Sequence, residues 1–287
     1  MKSRVLFTKE ISGDAVLRLY KALGKTLEGR VAVKVHSGER GNQNFLRPQF
    51  WKPIVDFVDG TVVETNTAYE GGRNTTASHL QTLKEHGWSD LFNTEILDGD
   101  GTDLELPIKN GRHITKNFVG KKTADYDSVL VLSHFKGHPM GGYGGALKQL
   151  SIGFASSYGK KYIHGVGVPE NFWTSDHDAF LCAMAESASS VTDMFEDKAV
   201  YINVMANMSV DCDCCAVAED PCIADIGILA SSDPVAIDKA CLDLVYASND
   251  KGRDHLIQRI ESRNGILTVK VAEKIGIGTT EYELVEI

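Results

Sequence analysis

Two histidines and two lysines stand among glycines in the segment SHFKGHPMGGYGGALK, residues 133–148. Imidazoles titrate near neutral pH, so His134 and His138 have the chemistry of a general acid and base, and imidazole also binds metals. Lys136 lies between the histidines, and Lys148 follows the glycines. We therefore predict that His134, His138 and Lys148 are catalytic and that Lys136 contacts the ligand.

Four glycines of this segment come directly before a predicted helix. They are Gly141, Gly142, Gly144 and Gly145. Glycine lets the backbone approach a ligand closely, and the start of a helix offers free N–H groups to an anion. The spacing of a Walker loop, G-x-x-x-x-G-K, is missing. We predict that the glycines and Lys148 hold a small anionic molecule, with a tight strand-to-helix turn as the alternative.

Four of the six cysteines fall within eleven residues, with the spacing C-x-C-C-x6-C. They are Cys212, Cys214, Cys215 and Cys222. Thiolates are the natural ligands of zinc and of iron–sulfur clusters. Adjacent side chains point apart in an extended chain, so we favour Cys212 and Cys214 as a chelating pair. Cys222, Cys215, a histidine or a carboxylate would complete the site, and a metal-free loop is the alternative.

Apolar runs alternate with helical patterns along the chain, which predicts an α/β fold with a largely parallel sheet flanked by helices. Two lobes with a cleft between them would fit the same pattern. We expect one domain over residues 1–287, with a weak lobe boundary near 110–125. The segment LELPIKNGRHITKNFVG predicts a hairpin, and ALKQLSIGFASS predicts a helix.

Several predicted strands end in residues that could do chemistry. RVAVKV leads to His36, TVVE to Asn66 and Thr67, SVLVLS to the histidines, YINVMAN to the cysteines and IGILASS to Asp233. The carboxyl ends of parallel strands share one edge of a sheet, where ligands bind. We therefore predict that His134, His138, Lys148 and Cys214 line one pocket, with His36, Asn66 and Thr67 on its rim.

Asp233 stands before Pro234, which is also the pattern of a helix N-cap. Asp238, five residues later, falls on the predicted helix, where we expect it to be exposed or paired.

The composition excludes several classes of partner. The net charge of −9 argues against a nucleic-acid or anionic-membrane surface. No apolar run approaches the ~18 residues that a membrane-spanning helix needs. The first residues lack the apolar core of a secretory signal, so we predict a cytoplasmic protein without a disulfide framework.

Seven segments carry a resemblance to a known family nearly from end to end. They are VAVKVHSGERGN, ETNTAYEGGRNTTASHLQTLKEHG, LSHFKGHPMGGYGGALKQLSIGFAS, GKKYIH, VDCDC, DIGILASSDPVAIDKACLDLV and EKIGIGTTEYELVEI. In these the sequence resembles the family catalogued as domain of unknown function 362, often labelled "uncharacterised Fe–S centre protein". The family has no settled activity.

The sequence departs from that family at one place. Many members carry a bacterial-type ferredoxin insert, rich in C-x-x-C-x-x-C, after the segment that matches GKKYIH. Here GVGVPENFWTSDHDAFLCAMAE takes that place with Cys182 alone. The iron–sulfur clusters that such an insert binds are therefore not expected in this sequence. The pair Cys212 and Cys214 is retained, whereas Cys215 and Cys222 are additions.

The segment GYGGALK is also similar to a run of the lactate racemase family, roughly G-Y-S-G-G-x-K. Lys148 keeps the distance from Tyr143 that this run has. In that family the lysine holds a nickel pincer cofactor. The resemblance implies such a cofactor at Lys148 as an option beside zinc and an iron–sulfur cluster.

Three hypotheses for function follow. The first is an enzyme acting on a small anionic metabolite, a metal-dependent oxidoreductase or a racemase/isomerase-like protein. The second is a non-catalytic metal or ligand carrier or an electron-transfer protein, and the third is a purely structural metal in the cysteine loop. An open coordination position would favour the first and a closed four-ligand site the third. The sequence predicts no oligomeric state.

Overall fold

Twelve strands and ten α-helices make up the computed structural model, which describes residues 2–287. The strands are β1 (Ser3–Thr8), β2 (Val31–Lys34), β3 (Thr61–Glu64), β4 (Thr94–Ile96), β5 (Asp103–Pro107), β6 (Lys116–Gly120), β7 (Ser128–His134), β8 (Lys136–His138), β9 (Gly142–Gly144), β10 (Ala199–Met205), β11 (Gly227–Ser231) and β12 (Tyr282–Glu286). The helices are α1 (Gly13–Leu23), α2 (Pro48–Val58), α3 (Thr76–Glu85), α4 (Trp88–Leu91), α5 (Ala146–Leu150), α6 (Ser157–His164), α7 (His177–Phe195), α8 (Pro234–Ala247), α9 (Arg253–Ser262) and α10 (Ile266–Lys274).

A central sheet has the order β12-β1-β11-β10-β7-β2-β3-β4. The pairings are parallel except those that β11 makes with β1 and β10. The fold is therefore α/β with a largely parallel sheet, as predicted from the alternating apolar runs.

Both faces of the sheet are covered by helices, which explains the continuous apolar runs of the central strands. In β7, Leu130 and Leu132 pack with α1 and α2 on one face. Val129 and Val131 pack with α5, α7, α8 and α10 on the other. No helix among residues 2–287 combines the length and the apolar composition needed to cross a membrane.

Two small hairpins stand outside the central sheet. One pairs β5 with β6 and confirms the hairpin predicted for LELPIKNGRHITKNFVG. The other pairs β8 with β9 within the glycine segment, where no strand was predicted, and places His138 opposite Gly142. Gly142 has φ +77°, and an added Cβ would lie 2.8 Å from the Cα of Gly265. Glycine is thus required there by the turn and by a close approach of two chain segments.

The helix predicted for ALKQLSIGFASS is shorter in the structure. The helix α5 ends at Leu150, and a turn separates it from α6, which Ser156 caps through a 2.9 Å bond from the Gly159 amide. Gly153 lies in that turn, where a Cβ would approach the Gln149 carbonyl oxygen to 2.3 Å. The chain changes direction in this turn, and the close contact between Gly153 and Gln149 leaves no room for a side chain at residue 153.

The antiparallel direction of β11 separates Asp233 from the other strand ends. Val5 of β1 pairs with Ser231 of β11, so the end of β11 lies at the edge where β1 begins. Asp233 accepts hydrogen bonds there from the amides of Val235 (2.9 Å) and Ala236 (3.0 Å). The N-cap interpretation of Asp233 is correct, and its grouping with the other strand ends is wrong.

Candidate functional site

A cavity of about 330 Å³ lies at the edge of the sheet where β2 and β3 end. Charged and imidazole side chains line part of it, namely Lys34, His36, Glu64, Arg73, His138, Lys148, Lys160 and His164. Cys214 and Cys215 also line the cavity, together with a group of aromatic and apolar side chains. The wall therefore joins a polar region to an apolar one.

The structure brings together six of the residues that the sequence singled out. The cavity wall contains His36, Thr67, His138, Lys148, Cys214 and Cys215. Distant strand ends thus meet at one edge of the sheet. Within residues 2–287 the same wall does not include His134, Lys136, Asn66, Cys212, Cys222 or the four glycines.

His134 and Lys136 anchor the cysteine loop instead of facing the cavity. The Nδ1 atom of His134 lies 2.9 Å from the Asp213 carboxylate, and its Nε2 lies 2.6 Å from the Ala206 carbonyl oxygen. Lys136 donates to Asp213 at 2.8 Å. Both ring nitrogens of His134 are occupied by protein acceptors, so the prediction that it lines the pocket is wrong. Burial would raise the pKa of Asp213, but the charges of His134 and Lys136 lower it.

Asn66 and Cys222 also lie elsewhere. The side chain of Asn66 bonds to Thr76 at 3.0 Å and His79 at 3.3 Å, so its predicted place on the rim is wrong. The sulfur of Cys222 donates to the Met208 carbonyl oxygen at 3.4 Å.

Two sulfurs and one imidazole form a compact group beside the cavity. The ligand atoms of His138, Cys212 and Cys214 all lie within 4.8 Å of one another, so this cluster could hold a metal ion. The Sγ of Cys214 lies 3.9 Å from Nε2 of His138. Lys148 places its Nζ 3.8 Å from the Sγ of Cys212. Cys215 and Cys222 do not join this group in the described part of the chain.

The surroundings shift the pKa values of these two sulfurs in opposite directions. Burial opposes ionisation of Cys212, but a hydrogen bond from Cys214 and the charges of Lys148 and Lys136 lower its pKa well below the usual range. The hydrogen bonds of Cys214 to Cys212 and Cys215 raise the pKa of Cys214. These shifts favour the thiolate at Cys212 over the thiolate at Cys214. The thiolate is the form of cysteine that attacks electrophiles and binds metals.

The hydrogen bonds of His138 fix which of its nitrogens carries the proton. Its Nδ1 accepts from the amides of Gly141 (2.8 Å) and Met140 (3.1 Å). Burial and the charge of Lys148 lower its pKa, which favours the neutral ring. A neutral ring whose Nδ1 is an acceptor carries its proton on Nε2, the atom that faces Cys214.

His36 has the same arrangement. Its Nδ1 accepts from the Gly38 amide at 3.2 Å. Burial and the charge of Arg73 lower its pKa to about 4, although a hydrogen bond with Cys212 acts in the other direction. Two neutral imidazoles thus surround the sulfurs as N–H donors.

The start of α5 binds a carboxylate of the protein itself, that of Asp238. The carboxylate of Asp238 accepts from the amides of Ala146 (2.8 Å) and Leu147 (3.0 Å), from Tyr143 and from Asn203. A Cβ at Gly145 would lie 2.4 Å from Oδ1 of Asp238. The helix start that was predicted to bind an anionic ligand is therefore already occupied by the carboxylate of Asp238. Asp238, which was expected to be exposed or paired, is buried and paired through these hydrogen bonds, and burial raises its pKa to about 6.

Cations around the cavity fall into two kinds. Lys34 contacts Glu64 at 2.6 Å, and Arg73 contacts Glu39 at 3.2 Å, all four being buried. Lys148 has no carboxylate oxygen within 4 Å in residues 2–287, and neither has Lys160.

Lys160 and His164 are cavity residues that sequence reasoning missed. The Nζ of Lys160 donates to Thr65 and to the Ala155 carbonyl oxygen, both at 2.6 Å, and burial lowers its pKa to about 7. His164 donates from Nδ1 to the Lys160 carbonyl oxygen at 2.7 Å, and burial lowers its pKa to about 3. Their spacing of four residues in GKKYIH, which puts both on one helix face, was the available signal.

Comparison with solved structures gives distant similarities. The lactate racemase apoprotein from Thermoanaerobacterium thermosaccharolyticum has a TM-score of 0.46 and 14% identity over 85% of this chain. A protein from Thermotoga maritima has a TM-score of 0.45 and 10% identity over 91% of this chain. The chain spans 58% of the length of each of these proteins.

None of the curated proteins matches the sequence. The family described as domain of unknown function (DUF362) matches residues 31–243, which is more than half of the chain. The protein therefore belongs to the DUF362 family.

Proposed function

We propose that the cavity is the active site of an enzyme that acts on a small anionic metabolite. The observation that carries this proposal is the pair of ammonium groups, Lys148 and Lys160, that line the cavity without a carboxylate partner among residues 2–287. Buried charge is costly without a countercharge. For Lys160, which is buried, an anionic ligand would supply one, whereas Lys34 and Arg73 already have theirs. Lys148 is half-buried beside the Cys212 sulfur and offers a second positive charge to the same ligand.

The cavity also contains groups suited to proton transfer. Lys160, with its pKa lowered by burial to about 7, can release and accept a proton at Nζ near neutral pH. His164 is neutral there, and its Nδ1 donates to the backbone, which leaves Nε2 as an acceptor. Lys148 then holds the anion, and Lys160 takes the acid–base role that the sequence had suggested for His134.

We further propose that Cys212 and Cys214 bind a zinc ion. Zinc accepts sulfur and nitrogen ligands in tetrahedral sites, whereas iron–sulfur clusters are generally held by four cysteines. Only two sulfurs join the compact group within residues 2–287, which favours zinc over a cluster. When bound, zinc would supply Lewis-acid polarisation of a ligand oxygen. Lys148 contacts the sulfur of Cys212, and this contact explains its position without a nickel-pincer cofactor.

The two sulfurs fit a zinc ion, but His138 does not fit with its present hydrogen bonds. A ligating imidazole presents a lone pair to the metal and donates from its other nitrogen. In His138 the second nitrogen accepts two backbone amides, so Nε2 carries the proton. This observation favours a second candidate, a metal-free sulfur pair in which the Cys212 thiolate is stabilised by N–H donors. A non-catalytic ligand or electron carrier is the alternative to both.

Metal content distinguishes these candidates. We would measure zinc, iron and the visible spectrum of protein purified without oxygen or chelators. The zinc proposal expects about one zinc per chain, lost in the double variant Cys212→Ser/Cys214→Ser and kept in the control Cys222→Ser. Wild type without zinc or iron contradicts it and leaves the metal-free pair. An iron–sulfur chromophore supports the electron carrier.

The anion site is tested separately by calorimetric titration with acetate and inorganic phosphate. Lys148→Met should weaken binding by roughly tenfold or more, because a charge-assisted hydrogen bond is lost. The control Lys109→Met changes a lysine whose side chain is 72% exposed. If neither anion binds the wild type, or if Lys148→Met binds both as tightly, the proposal of an anion site fails.

A further inference from the structure

One region of the cavity is apolar, and the proposed anion site does not explain it. It is lined by Met140, Ile152, Phe172, Trp173, Phe180 and Met184. Phe180 and Met184 project from α7, and Phe172 and Trp173 belong to the turn that precedes α7. A site for an inorganic anion alone would need none of these side chains. A volume of about 330 Å³ is also in the range of small-molecule pockets.

His164 marks where the two regions of the wall meet. Its ring stacks on Phe180 with centroids 4.6 Å apart, and it lies 4.9 Å from the ring of Phe172. Through Nδ1 it bonds to the backbone of Lys160, whose ammonium also lines the cavity. The apolar region therefore begins within one helical turn of the proposed anion site. A single ligand can contact both.

Trp173 leaves a large aromatic surface exposed to solvent beside the apolar region of the cavity. Its side chain belongs to the cavity wall, yet the residue is 68% exposed, while Phe180 and Met184 are each 2% exposed. Its ring packs edge-on against Phe172, with centroids 4.3 Å apart. A large aromatic surface left in water beside an apolar cavity gains from a partner that covers it.

We infer that the ligand is an amphipathic carboxylate, with its carboxylate at Lys148 and Lys160 and its hydrocarbon part between Trp173 and the α7 side chains. This inference rests on the proposed anion site and adds the chemical class of the ligand. Phosphorylated sugars and other uniformly polar anions would leave the apolar wall against water or polar groups. A short-chain or aryl-substituted carboxylic acid matches both regions of the wall.

The test is a series of straight-chain acids, from acetate through butyrate to hexanoate, with hexan-1-ol as the uncharged match. Trp173 supplies the signal, because Trp51 and Trp88 are buried at 2% and 0% exposure. We expect the tryptophan emission to shift to the blue as the tail covers the ring. Affinity should rise about three- to fourfold for each added methylene, the ratio expected for full burial of a CH₂ group.

Two variants locate the tail. Trp173→Ala removes an exposed ring and should fold normally, so calorimetry on it should show a weaker dependence of affinity on chain length, with a loss that grows from acetate to hexanoate. Phe180→Leu keeps an apolar side chain in the core and should reduce the affinity for hexanoate more than that for acetate. A chain-length dependence that is the same in both variants as in wild type overturns the inference.

The outcomes separate this inference from the function on which it rests. If acetate and hexanoate bind equally and both lose affinity in Lys148→Met, the anion site stands and the amphipathic ligand is excluded. If hexan-1-ol binds as tightly as hexanoate, charge is not used and both proposals fail. If no acid binds, the inference is overturned, and phosphate binding that requires Lys148 decides whether the anion site survives.

Discussion

The sulfur of Cys212 shows how neighbouring residues can reverse the effect of burial. A thiol buried among apolar groups is harder to ionise, because its charged form loses water. Around Cys212 a hydrogen bond from the Cys214 thiol lowers the pKa, and so do the charges of Lys136 and of Lys148, whose ammonium lies 3.8 Å from the sulfur. Such interactions are stronger in a buried site than in water, so they outweigh the loss of solvation.

Replacing Lys148 tests this explanation directly. Lys148→Met removes a positive charge beside the sulfur, so the pKa of Cys212 should rise by about 1 to 3. The measurement is a pH titration of the ultraviolet thiolate absorbance of metal-free protein, with Cys212→Ser as the baseline. Lys109→Met should leave the titration unchanged. An unaltered curve in Lys148→Met would assign the low pKa to the other neighbours.

Lys160 gives the proposed anion site a dependence on pH. The pKa of this lysine is lowered by burial to about 7, so its charged form is lost as the pH rises through that value. Acetate affinity should therefore fall between about pH 6 and pH 8, because an anion binds the ammonium better than the amine. Calorimetry across this range should show a flat profile in Lys160→Arg, since arginine stays protonated. A wild-type profile that is equally flat would remove Lys160 from the site.

Single residues could be predicted where their type is unusual for their position. Cys212, Cys214, His138 and Lys148 stood out for this reason, and they do lie together, whereas Cys222 lies elsewhere. The position of His134 could not be predicted, because its partner Asp213 is 79 residues away and sits within the cysteine segment itself. Nothing in the local sequence distinguishes a histidine that anchors a loop from one that faces a ligand.

At the scale of elements, the short helix α5 depends on a carboxylate from α8. Five residues are too few to form a stable helix alone. Asp238 holds the amides of Ala146 and Leu147, and so sets the position of Lys148 in the first turns. The glycines before the helix make room for this contact, as the 2.4 Å approach at Gly145 indicates.

Removing that carboxylate should cost both stability and binding. Asp238→Ala leaves two buried amides without acceptors, each worth about 1–3 kcal/mol, so we expect a loss of roughly 2–6 kcal/mol in the free energy of unfolding. Acetate binding should weaken as well, since Lys148 loses its support. Urea unfolding and calorimetry measure these effects. The neighbouring Lys239→Ala, which breaks a half-buried pair with Asp243 but leaves no buried amide without an acceptor, should cost about 1 kcal/mol or less. Equal effects of the two variants would contradict this role.

Most elements could be predicted from periodicity, and the exceptions have physical reasons. The helix α7 has nineteen residues with a regular apolar pattern, so its existence was clear from the sequence. The strands β8 and β9 have three residues each and are rich in glycine, so they carry no strand pattern. The reversed direction of β11 depends on the path of the chain between Met205 and Gly227, for which the sequence has no local signal.

At the scale of the whole molecule, the parallel strands bring opposite charges together in a buried network. Lys34 at the end of β2 meets Glu64 at the end of β3, and Arg73 lies 3.6 Å from the same carboxylate. Glu39 joins Arg73 and donates its own amide to the carbonyl of Asp213 at 2.7 Å. The network thus connects two strand ends to the cysteine loop. It could not be read from the sequence, because each strand shows only one charge in an apolar run.

This network should make the whole fold sensitive to one carboxylate. Glu64→Gln keeps the side-chain shape but leaves the buried ammonium of Lys34 without its charge partner, so we expect a loss of about 3–5 kcal/mol in the free energy of unfolding at pH 7. Burial would raise the pKa of Glu64, yet Lys34 and its other neighbours hold it well below the usual value. The stability that the carboxylate contributes is therefore complete above its unfolded pKa of about 4.3 and is lost as the pH falls through the lower folded value. Urea unfolding from neutral to acid pH should show the variant and wild type converging only in strong acid. Asp56→Asn, which breaks an exposed pair with Lys52, should cost below about 0.5 kcal/mol, and a similarly small cost for Glu64→Gln would contradict the role of the network.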